Sequence, residues 1–163
     1  MFKPPLPRRW LLAAALFGLL AGCATPPATP PRPGGGAVAA LRQGQAGWRR
    51  DARSAEIAGE LLWATTADGG LLEFSKTPFA VALVQSDAAR WRAEFALVGR
   101  SVGGKLPGPT GLGWLRLEQA FLGNPAPPPW EFSDGPDGRF KLENPNTGES
   151  IKGFLAATQK SIP

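Results

Sequence analysis

From residue 60 onward the chain alternates apolar and polar positions in short runs, each closed by glycine, proline or asparagine. Residues 61–66 predict a strand, Ala67-Asp68-Gly69-Gly70 a turn, and residues 71–75 the returning strand. Lys76-Thr77-Pro78 breaks the run. The segment "FAVALVQ" (79–85) is apolar at nearly every step, as in a strand covered on both faces. In "RWRAEFALV" (90–98) the alternation is clean: Trp91, Ala93, Phe95 and Leu97 point inward, Arg90, Arg92 and Glu94 outward. Residues 99–111, "GRSVGGKLPGPTG", read as a glycine-proline loop. The period then changes. In "LGWLRLEQAFLG" (112–123) Trp114, Leu117 and Phe121 share one stripe of a helix, with Gly123 as its cap and Pro125 as its stop. Three further runs, "WEFS", "RFKLEN" and "ESIKGFL", are separated by the turns "DGPDG" and "NPNTG" and predict a three-stranded meander. Residues 37–59 have no clean period. Gly44 and Gly47 interrupt them, and they read as helical or irregular, with a short helix around residues 48–57. The pattern defines an α+β class, mainly antiparallel sheet with one helix.

The first 36 residues are of another kind. Lys3, Arg8 and Arg9 precede an uninterrupted run of apolar and small residues from Trp10 to Gly22, the layout of a secretory signal. That run is short of the ~20 residues that span a bilayer. It ends in Leu20-Ala21-Gly22-Cys23, which resembles the lipobox of bacterial lipoproteins. The resemblance implies cleavage after Gly22 and a thioether-linked lipid on Cys23, and it accounts for a chain with a single cysteine. Two or three acyl chains make such an anchor stable. Ala24 follows the cysteine, where the family's inner-membrane retention signal carries aspartate; the implied address is the outer membrane, facing the periplasm. Pro26-Pro27, Pro30-Pro31, Pro33 and Gly34-Gly35-Gly36 make a tether, extended and then flexible. The expected organisation is a signal peptide over 1–22, the lipidated cysteine and tether over 23–36, an N-terminal segment over 37–59, a sheet-and-helix domain over 60–157 and a tail over 158–163.

Charge and composition narrow the chemistry. Without Lys3, Arg8 and Arg9 there remain 15 basic and 13 acidic residues, scattered along the chain. No basic patch suggests nucleic acid. Histidine and tyrosine are absent and the one cysteine is assigned to lipid. This excludes an imidazole base, a histidine metal ligand and a Ser-His-Asp or Cys-His site. The glutamates alternate with apolar residues or flank turns, as on solvated strand faces. The glycine-rich 99–111 run has no closing GKS or GKT and is no phosphate cradle. Neither catalysis nor a cofactor is expected.

The order of these features, strands with "EFSKTPFAVALVQSDAARWRAEF", then "LPGPTGLGWLRLEQAFLGNP", then a tryptophan-led meander, resembles the carrier and receptor family of bacterial lipoprotein sorting (LolA/LolB-like). The positions that carry the likeness are Leu106-Pro107, Trp114-Leu115, and Gly123 with Pro125, within residues 60–155. The resemblance implies a curved half-barrel sheet closed by a helix over an apolar concavity that takes acyl chains. Members generally have a longer sheet, and this chain reads as several strands shorter. Their protruding apolar loop residue has one candidate here, Leu106. The candidate concavity walls are Trp63, Phe74, Phe79 and Leu83 on the strands, Trp91 and Phe95 on the next strand, and Trp114 and Phe121 on the helix.

Two functions follow from different classes. One is a membrane-anchored envelope lipoprotein that binds lipid or lipoprotein acyl chains, in outer-membrane lipoprotein localisation. The other is a non-catalytic assembly or structural lipoprotein that docks an envelope protein. A continuous apolar cavity of several hundred Å3 favours the first. A filled core with an exposed apolar patch or an open sheet edge favours the second.

Overall fold

The computed structural model describes residues 38–156. The signal peptide, the lipobox of Leu20, Ala21, Gly22 and Cys23, the tether and the tail lie outside the described residues. Ten elements follow in order: β1 (Ala40–Arg49), β2 (Ile57–Thr65), β3 (Gly70–Lys76), β4 (Phe79–Ser86), β5 (Arg90–Phe95), β6 (Arg100–Lys105), α1 (Gly113–Phe121), β7 (Glu131–Asp134), β8 (Arg139–Asn144) and β9 (Glu149–Leu155), with one 3-10 turn at Ala96–Val98. The strands form a single curved, unclosed antiparallel sheet in the order β6-β5-β4-β3-β2-β1-β9-β8-β7. It is the α+β class, mainly antiparallel sheet with one helix, that the alternation called for, and its curved, half-barrel-like form is the one the resemblance implied.

Two segments depart from the sequence reading. Where the sequence predicted a helical or irregular stretch, the described residues 38–59 hold no helix; β1 pairs with β2 over the register Ala40↔Thr65 to Trp48↔Ile57 and with β9 on its other side. β1 is the interior strand that joins the first hairpins to the C-terminal meander. Its glycines hid it, yet one of them is required by this position: a Cβ on Gly44 would run into the Phe154 backbone of β9. The supposed loop 99–111 begins with β6, paired with β5 from Arg90↔Lys105 to Phe95↔Arg100. Gly103 and Gly104 weaken its strand signal.

One face of the sheet makes the core. Leu61, Trp63, Leu72, Phe74, Val84, Ala93, Leu142, Ile151 and Leu155 line it, and α1 lays Trp114, Leu115 and Leu117 across it. The Trp114 ring stacks on Phe74 at 4.8 Å and meets Trp48 edge-on at 5.8 Å. Phe121 meets Trp63 at 5.5 Å and Phe140 at 5.1 Å. Gly70 makes room: a Cβ there would strike the Trp63 ring and the Glu118 carboxyl. Gly123 ends the helix in a left-handed conformation, φ +86°, with its N–H on the Ala120 carbonyl.

Candidate functional site

The eight residues proposed as concavity walls separate into three groups. Trp63, Phe74, Trp91 and Trp114 are buried and pack into one cluster, with Phe95 and Phe121 half-buried against it. Leu83 and Phe79 do not join them. The reason is a bulge: Phe74 pairs with Ala82 while Ser75 pairs with Ala80, so Val81 is an extra residue in β4. Beyond it Ala82, Val84 and Ser86 face α1, and Leu83 sits opposite Glu94 on the other face. Alternation counted from Phe79 had inverted those two faces. Phe79 itself is 63% exposed at the start of β4. Leu97, also expected inward, is 57% exposed, because β5 ends at Phe95 and the chain turns. Leu106 packs against the core and does not protrude.

The side chains beneath the helix are buried and pack into one cluster. Ala93, fully buried, sits between Val84 and Val102 with Trp91 beside it. One opening on this side, of about 240 Å3, lies at the C-terminal end of α1 between Trp63, Phe121, Phe140 and Leu155, with Arg42, Asp134 and Arg139 also lining it. That is smaller than the ~300–1,000 Å3 of ligand pockets. A wider, open concavity of about 810 Å3 is lined mostly by residues that alternate with the core set, among them Gln45, Ala58, Lys152 and Phe154. A Glu56–Lys152 ion pair of 3.0 Å lies along it.

Three of the indoles are satisfied inside the protein. Trp48 donates to Glu149 Oε1 at 3.2 Å, Trp91 to the Lys105 carbonyl at 3.1 Å and Trp130 to the Thr110 carbonyl at 2.6 Å. Trp114 Nε1 is the exception, buried without a hydrogen-bond partner. These bonds, with Arg116, hold the 106–112 loop. The Arg116 Nη2 reaches the carbonyls of Pro107, Gly108 and Pro109 at 2.8, 2.9 and 2.8 Å. Sequence reading missed this residue. A cation on the buried stripe of a helix, beside a proline-glycine loop rich in carbonyls, was the available signal.

Two carboxyls are pushed up. Glu118 is wholly buried, takes the Ser86 hydroxyl at 2.5 Å and the Gln119 amide at 2.7 Å, and is pushed up by burial. It has no access to a substrate. Glu149 lies against Gly113, the first residue of α1, and burial pushes it up to about 6, with the Trp48 hydrogen bond acting the other way. A carboxyl that holds its proton more tightly when folded stabilises the fold as the pH falls from about 6 toward 4.5, and that contribution is lost as the pH rises through 6. Asp87, held low by the N–H groups of Ala89 and Arg90, has the opposite slope but only below its ordinary 3.8. The melting temperature should therefore be higher at about pH 5 than at about pH 7.5, and Glu149→Gln, which keeps an acceptor for Trp48, should flatten the difference. A melting temperature that falls over that interval, or a profile the variant leaves unchanged, contradicts this assignment.

Among the described residues no group of three or more acidic or cysteine side chains is placed to hold a metal, and no helix is long and apolar enough to cross a membrane. Comparison with known proteins finds no matching family model and no matching curated protein.

The remaining feature is at the surface. Phe79, Leu97 and Val98 are 63%, 57% and 72% exposed. Antiparallel pairing of β4 with β5 brings the start of β4 to the same end of the sheet as the 96–98 turn, and the two are in contact. Three of the five exposed large apolar residues among those described are thus gathered at one end of the sheet, beside the edge strand β6.

Proposed function

We propose that the chain is a non-catalytic lipoprotein of the bacterial envelope, held to the outer membrane by lipid on Cys23, whose sheet presents an apolar end to a protein partner. The observation that carries this reading is the pairing of a buried aromatic and aliphatic core with the exposed Phe79, Leu97 and Val98 at one end of the sheet. Apolar side chains grouped at the surface mark interaction sites, whereas scattered ones do not. The proline-rich tether supports it too, since on the order of 40 Å of reach lets the domain meet a partner away from the lipid surface.

A second reading, acyl-chain or lipoprotein binding, is favoured by one observation. The concavity of about 810 Å3 beside the half-exposed Phe154 has the volume for an alkyl chain, although it is open and lies away from the helix. The likeness to the lipoprotein-sorting carriers and receptor supports that reading from the sequence side.

A photo-reactive phenylalanine analogue in place of Leu97, in the full anchored chain, separates the two. Docking gives a discrete protein adduct in the envelope fraction that Phe79→Ser removes. Adducts to lipid alone contradict it. The anchor has its own test: Cys23→Ser should abolish metabolic labelling by an alkyne fatty acid, and equal label on both chains would sink the lipoprotein assignment.

A further inference from the structure

We propose that β6 is a strand-addition edge and that its partner is an extended acidic segment of another protein, running antiparallel to β6 and ending in an apolar residue that sits on Leu97 and Val98. The proposal rests on the docking reading and names the chemistry of its partner.

Among the described residues β6 ends the sheet and pairs on one side only. The bond from the Leu106 N–H to the Ala89 carbonyl, 2.9 Å, fixes the phase of its ladder. Counting back in twos, Gly104, Val102 and Arg100 exchange bonds with Trp91, Ala93 and Phe95. Ser101 and Gly103 turn both N–H and C=O to the open side, and Lys105 turns its N–H there. The Lys105 carbonyl is already used, by the Trp91 indole at 3.1 Å and the Gly108 N–H at 3.1 Å. The edge is held in shape from within: Val102 packs on the core and Gly104 lies over the Trp91 ring. A preformed strand with unpaired rungs accepts an extended peptide without reorganising.

Charge selects the partner. Arg100 and Lys105 stand at the two ends of β6, the strand has no acidic residue, and among the described residues neither cation is in an ion pair. Two copies joined edge to edge would line four cations along one short ladder, which like-charge repulsion opposes. β7, the other edge, is acidic through Glu131 and Asp134, but it has four residues and runs into Gly135-Pro136, so a second copy puts no apolar side chain on the patch. An antiparallel partner brings its C-terminal end to the start of β6, where Leu97 and Val98 are exposed.

The probe is the capped peptide Glu-Thr-Thr-Val-Thr-Glu-Gly-Leu, with a counterpart carrying lysine for both glutamates, titrated against the full chain in detergent micelles. The acidic peptide is expected to bind at least about tenfold tighter than the basic one, with a preference that shrinks as salt rises. Hydrogen exchange should slow at the Ser101 and Gly103 amides. Ser101→Pro removes an outward donor and no internal ladder bond, and should cost at least about tenfold in affinity. Should that variant misfold, Arg100→Glu with Lys105→Glu should reverse the peptide preference. Equal binding of both peptides, protection confined to other strands, or self-association of the chain through β6 would overturn the proposal. If the Leu97 photo-adduct persists in the Arg100→Glu, Lys105→Glu chain, strand addition fails while docking at the apolar patch stands. If no such adduct forms in the unaltered chain, the docking reading fails as well.

Discussion

Trp114→Ala should destabilise the domain by about 3–5 kcal/mol, the range for removing a fully buried aromatic side chain. Trp114 is 2% exposed, stacked on Phe74 and edge-on to Trp48, and α1 has no other aromatic over the middle of the sheet. Its unpartnered Nε1 lowers the cost a little, since alanine removes a buried donor along with the ring. Neighbours on strands cannot close the gap, because their positions are fixed by the ladder. Denaturant unfolding of the two proteins measures it. A loss under about 1 kcal/mol would place the indole at the rim of a space and not inside a packed core.

Ala93→Trp is the converse. Were the space beneath the helix empty, the larger ring would fill it and the fold would survive. With Ala93 fully buried between Val84 and Val102, the ring has nowhere to go. Overpacking of a few methylenes costs about 1–3 kcal/mol, and an indole adds far more volume, so the variant should be largely unfolded or displaced from its native packing. Loss of near-ultraviolet circular dichroism and a broadened thermal transition would report it. A native-like melt would show that the core holds room for a ring.

The sheet was legible because its strands obey a period of two and its turns carry glycine, proline and asparagine. From residue 61 on, the hairpins β2–β3 and β4–β5, the helix and the C-terminal meander stand close to where the pattern put them, although β2 already begins at Ile57, within the stretch read as helical or irregular. β1 and β6 were not legible, for one physical reason. Both place glycine where neighbouring backbone or the Trp91 ring comes close, and glycine erases the alternation that marks a strand. With β1 and β6 counted the sheet reaches nine strands among the described residues. The candidate site was less legible than the fold. Aromatic residues line cores and pockets alike, and only packing decides between them. The single bulge at Val81 reversed the faces of Ala82 and Leu83, and it has no signature in "FAVALVQ". The exposed cluster escaped notice because Phe79 and Leu97 both looked like inward positions of alternating strands. Exposure came from where each strand starts or stops, which periodicity locates only to within a few residues.

The account turns on whether the apolar core is occupied by the protein's own side chains or leaves room for a lipid tail. Native mass spectrometry of the full chain released from detergent, with palmitic acid in excess, measures that directly. The filled core and the docking reading call for no adduct beyond what a non-binding control protein shows. A stoichiometric one-to-one palmitate complex that survives gas-phase activation would contradict the docking reading, and would return the chain to the acyl-binding class.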